Sequence, residues 1–281
     1  MQSSLAGFSV IGRADPVASS PSAYLCKPSN RPGLPSTVVV SVLAGCACRR
    51  EEIAERLTMV CCEDSRFSLS LYELVVESGS EDLLLVSEPA SGGTLARPVA
   101  PLDERSKVQA VAAAARGAHE LHEAGLAHGS ISPGTIFLTD SGARLGPPDM
   151  MSKPGRVAGS TPGSLLSTVD PGLLRGESPS RASDVWSLGA SLHLSLSNAP
   201  LYPDLETDEP VMAVQRVLYG RPRLDPALPG QLLDVIRSCV AADPSKRPDS
   251  ALAVAEKLEP YAASAPSGAS SLTGHAGSVQ Q

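Results

Sequence analysis

The periodicity of apolar residues changes once along this chain, near residue 88, and that change limits the fold more than any other feature. Over residues 8–88, short β-branched and apolar runs recur between turn residues (FSVIGR, AYLCK, STVVVSVLA, SLSLYELVVES, DLLLVSE), interrupted by one helix-forming stretch at 49–60. After the glycine-rich PASGGTL, helical spacing takes over at 102–124, 182–196, 210–219, 231–241 and 250–261. Strands followed by helices, rather than alternating with them, predict an α+β fold. The expected division is a flexible N-terminus at 1–7, a small β-rich lobe with one main helix at 8–88, a larger mainly α-helical lobe at 89–261, and a disordered tail at 262–281 that has almost no charge and no periodicity.

With 281 residues, 42% of them apolar, the chain is long enough to bury one sizeable core or two lobes. Aromatic residues make up only 3%, so Leu, Val, Ala and Ile must fill that core. A formal charge of −7 and the lack of a Lys/Arg cluster argue against nucleic acid as the main partner. The apolar run TVVVSVLAGCAC is shorter than the roughly 20 residues that span a bilayer, and MQSSLAGFSV has no basic segment followed by a long apolar one, so a cytoplasmic location is expected. Cys46, Cys48, Cys61 and Cys62 form the one cysteine cluster that suggests a metal. The intervening RREEIAERLTMV, as a helix, would hold the two pairs about 20 Å apart. One zinc ion does not bridge that distance, so small buried thiols are the expected reading.

Four segments in order carry a family resemblance. They are LLLVSEPASGGTL, then ARGAHELHEAGLAHGSISPGTIFLTDSGARLG, then DPGLLRGESPSRASDVWSLGASLHLSLSNAPLY with Asp184, Trp186, Ser187 and Gly189, and finally CVAADPSKRPDSALAVAEKL with Arg247. From about residue 8 to 261 the chain resembles the eukaryotic-type protein kinase family. The resemblance implies a two-lobed kinase fold, with a hinge near Glu88 and Ala90 and a catalytic loop at HGSISPGTIFLT, residues 128–139. It also implies that Asp184 caps that loop from below and that His128, Asp184, Trp186 and Arg247 hold structure.

The chemistry that the family requires is missing at position after position. Phosphoryl transfer needs phosphates neutralised, a metal held and a nucleophile positioned. The family's loop G-x-G-x-x-G is reduced to Gly12 in IGRADPVASS, where Pro16 has no N–H to offer. Its strand lysine is replaced by Ser41, and Glu52 or Glu55 is left as a helix glutamate without that partner. Lys27 or a nearby Arg is the available substitute. In the catalytic loop, the base, the phosphate-contacting lysine and the metal-binding asparagine correspond to Ser130, Ser132 and Thr135, and Gly129 replaces the arginine. Asp-Phe-Gly falls on Pro147, Pro148 and Asp149, which makes Asp149 the available carboxylate for a displaced Mg²⁺.

Ala-Pro-Glu becomes Asp170, Pro171 and Gly172, so Arg247 must find water, Asp170 or another acid. Ser160, Thr161, Ser167 and Thr168 are expected in a flexible loop that lacks the usual cationic partner for a phosphate. No G-x-S-x-G, H-E-x-x-H or Walker-type GKS replaces the lost set, and Ser130 beside His128 makes no triad without geometry. A pseudokinase is therefore expected, a regulatory or protein-binding module in signalling with a protein partner and no required cofactor. Two alternatives stand beside it: an atypical ATP- and Mg²⁺-dependent Ser/Thr kinase with displaced groups, and a nucleotide-binding switch that uses the hinge near Glu88 and Ala90 without phosphotransfer.

Overall fold

The computed structural model describes residues 4–15, 22–60, 65–76, 79–148, 166–203, 205 and 210–263. The β-branched runs form an antiparallel sheet of β1 (Ser4–Leu5), β2 (Phe8–Ala14), β3 (Ser22–Pro28), β4 (Val38–Leu43), β5 (Leu71–Val76) and β6 (Leu83–Ser87), in the order β1-β2-β3-β4-β6-β5. Its central strands, VVVSVL and LLLVS, are nearly continuous apolar runs because both of their faces are covered. Val38, Val40, Leu84 and Val86 pack with Leu5 and Phe8 on one face. On the other, Leu43, Leu83 and Leu85 pack against Ile53 and Leu57 of α1 (Arg50–Val60).

Strand β1 lies inside the stretch expected to be flexible. Its turn uses Ala6 and Gly7 at φ of 43° and 86°, and Leu5 and Phe8 on either side are buried in the sheet's outer core. The Arg31 guanidinium lies 4.4 Å from the Phe8 ring centre, donates to the Ala6 carbonyl at 2.9 Å and pairs with Glu73.

Beyond the hinge come β7 (Gly93–Thr94), β8 (Arg97–Pro98), α2 (Glu104–Glu123), β9 (Ile136–Thr139) and β10 (Gly142–Leu145), with the strands in the order β10-β9-β7-β8. The helices α3 (Pro171–Leu174), α4 (Arg181–Ser197), α5 (Pro210–Tyr219), α6 (Gly230–Cys239) and α7 (Ala251–Ala263) complete the large lobe. Asp103 caps α2 by accepting from the Ser106 amide at 2.8 Å, and Ser180 with Ser183 forms a capping box that starts α4. Gly189 allows α4 to approach α6 closely, since a Cβ there would stand 2.4 Å from that of Cys239. The fold is the α+β, two-lobed kinase-like arrangement expected from the sequence.

Main chain joins the lobes at the back. The Leu145 amide donates to the Phe67 carbonyl at 2.7 Å and the Leu69 amide to the Leu145 carbonyl at 2.8 Å, so residues 67–69 run alongside β10. Gly117 of α2 makes room, because a Cβ there would lie 2.8 Å from the Phe67 oxygen. Arg144 donates to the Ser68 carbonyl at 3.2 Å and lies 3.3 Å from the Glu88 carboxylate. Among the described residues no helix is long and apolar enough to cross a membrane.

Candidate functional site

The site is organised around Asp184 in the first turn of α4. Its Oδ2 accepts from the His128 amide at 2.7 Å and its Oδ1 from the Gly129 amide at 2.8 Å, while His122 Nε2 lies 2.9 Å from Oδ2. The carboxylate is fully buried, and these donors replace the water it loses. Gly129 takes φ of +74°, and a Cβ there would be 2.9 Å from Pro179. An arginine side chain at this position would meet both obstacles. The HGSIS backbone therefore owes its shape to Asp184 and to a glycine where the family carries arginine.

The side chains of the loop are engaged with one another. His128, buried, directs Nε2 to the Gly146 carbonyl at 3.0 Å. A carbonyl only accepts, so Nε2 carries the proton and Nδ1 faces the Ser130 amide and hydroxyl, each at 3.3 Å, as an acceptor. Thr135 Oγ1 accepts from the Ser132 amide at 2.9 Å and lies 3.0 Å from the Ser132 carbonyl, to which it donates. At Ser130 and Thr135, which the resemblance aligns with the base and the metal ligand, the hydroxyls bond within the turn.

Above the loop, Ser41 is fully buried in β4, paired in register with Ala23 and Leu85. Glu52 pairs with Arg49 at 2.9 Å on the outer side of α1, and Glu55 is exposed. Lys27 does not replace the missing lysine: it is exposed and lies four residues along β3 from Ala23, about 13 Å at strand rise. Pro147 and Pro148 are buried. Asp149, Ser160, Thr161 and Pro16 lie outside the described residues.

A cleft of about 790 Å³ opens between the lobes, with Val39 above, Phe137 below and Ala90 at the hinge, and with Arg13, Asp15 and Arg97 among its polar lining. Gly12 does not line it, and lies in β2 opposite Leu25. Glu88 lines the cleft, but its carboxylate accepts from the Ser70 amide at 2.7 Å and faces Arg144. Phe137 is the residue that sequence reasoning missed. Its ring rises from β9 into the small-lobe cluster of Leu43, Leu83 and Leu85. It fits because position 146 is glycine, whose Cβ would stand 2.5 Å from the Phe137 ring.

The expectation for Ser167 and Thr168 is corrected: both are buried, 8% and 2% exposed, just before α3 rather than in a flexible loop. Burial pushes the Cys26 thiol up to about 11 and that of Cys239 to about 12, which leaves them protonated and unreactive. Cys46 is buried and Cys48 exposed, and Cys61 and Cys62 lie outside the described residues. Among the described residues no His, Cys, Asp and Glu side chains group in a way that could hold a metal ion.

A β-rich lobe, a hinge, and a helical lobe whose buried aspartate holds the loop after α2 together define a protein kinase domain. The chain belongs to the family described as protein tyrosine and serine/threonine kinase, whose sequence profile matches residues 34–257. It is similar to serine/threonine-protein kinase PknK of Mycobacterium tuberculosis, with 32% identity over 177 residues, covering 59% of this chain and 15% of that protein. PknK of Mycobacterium bovis is similar to the same extent. The chain thus matches only a small part of the length of these relatives.

Proposed function

We propose that this domain is a kinase fold without phosphotransfer activity, which works as a regulatory, protein-binding module in cytoplasmic signalling. One observation carries the reading. The loop retains the Asp184 cap on the His128 and Gly129 amides, yet Ser130 and Thr135, at the base and metal positions, are neutral. A lost general base commonly costs about 10²- to 10⁴-fold in rate, and the strand lysine and metal-binding asparagine are absent as well. Ser130 and Thr135 offer a metal no carboxylate and Ser41 offers no charge to phosphates, which speaks against MgATP as a ligand.

The test is a thermal-unfolding titration with ATP, with and without Mg²⁺ or Mn²⁺, together with a radiolabel-transfer assay. The expected result is no shift at millimolar MgATP and no transfer. Bound ligand at about 100 times its Kd would instead stabilise the fold by about 2.7 kcal/mol.

The naming of the PknK relatives as serine/threonine kinases favours a second reading, phosphotransfer by displaced groups with Asp149 as Mg²⁺ ligand. Metal-dependent autophosphorylation that Asp149→Ala abolishes would establish it in place of the first. Binding of ATP without metal and without transfer would leave the nucleotide-binding switch.

A further inference from the structure

Helix α5 carries apolar residues on both of its faces. On the inner one, Ala213 and Val217 are buried in the core of the large lobe. The outer face, where a surface helix usually carries charge, holds Val211, Met212 and Tyr219, which are 68%, 43% and 84% exposed. These are three of the seven large apolar or aromatic side chains exposed among the described residues, and they share one ten-residue helix. With the exposed Gln215 they fall at i, i+1, i+4 and i+8, one stripe about 12 Å or two helical turns long. A single exposed hydrophobic residue is ordinary, whereas a stripe of them marks a binding surface.

Arginines border the stripe. Arg216 stands in the last turn of α5, where a cation complements the helix dipole. That account does not reach Arg221 and Arg223, which follow the helix. Both are exposed, while Pro222 and Leu224 are half-buried and Leu224 packs on the core. Among the described residues neither Arg221 nor Arg223 forms an ion pair. From Pro210 to Leu224 the chain has three arginines and no Asp, Glu or Lys, although its net charge is −7. Asp225 comes next, but its carboxylate accepts from the Ala227 amide at 2.9 Å.

We infer that the outer face of α5 docks a partner protein through an acidic amphipathic helix. The apolar side chains of that helix lie along Val211, Met212 and Tyr219, and its carboxylates meet Arg221 and Arg223. Charge and residue type select this partner. Tyr, Met and Arg are the residues enriched in protein interfaces, and Lys, Glu and Asp are depleted there. Three arginines fall short of the roughly six to ten phosphate contacts that hold a nucleic-acid binder. The inference rests on the protein-binding reading in expecting a protein partner, and gives that reading a surface. Its test involves no ATP, so the loss of phosphotransfer and the docking surface can fail separately.

Fluorescence anisotropy on the full chain tests this with labelled peptides of about 18 residues, long enough to form a helix in water. One has leucine along a single stripe and glutamate elsewhere, a second has glutamine in place of glutamate, and a third scrambles the first so that its leucines form no stripe. The acidic striped peptide should bind up to about ten-fold more tightly than the glutamine form. That advantage should vanish in 1 M NaCl, where the Debye length is about 3 Å. Arg221→Gln combined with Arg223→Gln should bring the two peptides to one affinity, and Tyr219→Ala should weaken both by about ten-fold. Tyr72→Ala, which removes an exposed aromatic ring from the small lobe, should change neither. A melting temperature equal to that of the parent chain shows that each variant folds, and if Tyr219→Ala lowers it, Val211→Ser takes its place. Equal binding of the acidic and glutamine peptides, equal binding of the scrambled one, indifference to the loss of Tyr219, or no saturable binding would each overturn the inference. So would tighter binding to a DNA duplex or to phosphatidylglycerol vesicles that depends on Arg221 and Arg223, or a dimer of this chain that Tyr219→Ala dissociates, since α5 would then serve a nucleic acid, a membrane or a second copy.

Discussion

Arg247 places Nη1 2.5 Å from Oδ2 of Asp170, and its guanidinium lies 4.9 Å from the centre of the Trp186 ring. The carboxylate comes from the N-cap of α3, two residues before Gly172, where the family resemblance would put a glutamate. The same guanidinium donates from Nε to the Ala241 carbonyl at 2.9 Å and from Nη1 to that of Ala182 at 2.8 Å. One relocated acid thus preserves the junction of α3, α4 and the turn before α7.

Removing either partner of this pair leaves a buried charge without its counter-ion. Asp170→Ala should cost about 3–5 kcal/mol in urea unfolding, whereas Arg247→Met, which keeps apolar contact with Trp186, should cost less. The excess loss in Asp170→Ala measures the helix cap that Asp170 provides to the Gly172 amide, and equal losses would place the stabilisation in the ion pair instead.

Asp184→Ala should be among the most damaging substitutions in the chain. It strands the buried His128 amide, the half-buried Gly129 amide and His122 Nε2, a loss of about 3–5 kcal/mol. Hydrogen exchange should accelerate at residues 128–129 before α4 opens.

Adding one methyl group at Gly146 should destabilise the protein by about 1–3 kcal/mol, because the new Cβ would stand 2.5 Å from the Phe137 ring and 3.3 Å from the Thr135 oxygen. Phe137→Leu in the same chain should recover part of the loss. A double variant no more stable than Gly146→Ala would show that the Thr135 carbonyl, not the ring, resists the change.

His193 links acid to stability. Its Nε2 accepts from the Asp225 amide at 3.0 Å, and burial holds its pKa below the usual 6.5. The unfolded chain therefore takes up the proton at a higher pH than the folded one. The stabilising contribution is complete above about pH 6.5 and declines as pH falls from there through the lowered folded value. Urea midpoints measured from pH 8 to 5 should drop more steeply for the parent chain than for His193→Gln.

Much of this architecture was legible because the strands and helices are long enough to show a period. The runs VVVSVL and LLLVS declare a doubly covered sheet, and Asp184, Trp186 and Arg247 mark helices of the large lobe. Strand β1 has two residues and α3 four, too few for any period, so neither was visible. The neutral residues of the catalytic loop could be named from the sequence, but not their use. That Thr135 closes a turn on Ser132, or that Nδ1 of His128 faces Ser130, depends on backbone geometry. Phe137 and Arg144 look like ordinary strand residues. Their partners Leu85 and Ser68 lie far back in the chain, where no local pattern reaches.

Pairing of residues 67–69 with Leu145 also sets an order of events at the ribosome. Ser68 precedes Arg144 by 76 positions. At the usual 5–20 residues per second, the earlier segment waits roughly 4–15 s for its partner strand to emerge. Once β5 and β6 have followed, the small lobe has its sheet but an unfinished floor, with Leu69 and Leu85 lacking the cover that Phe137 later brings. A chaperone that binds exposed apolar surface would act on this nascent form. The yield of folded protein is then governed by the time needed to complete the β9–β10 hairpin as much as by the stability of the finished domain.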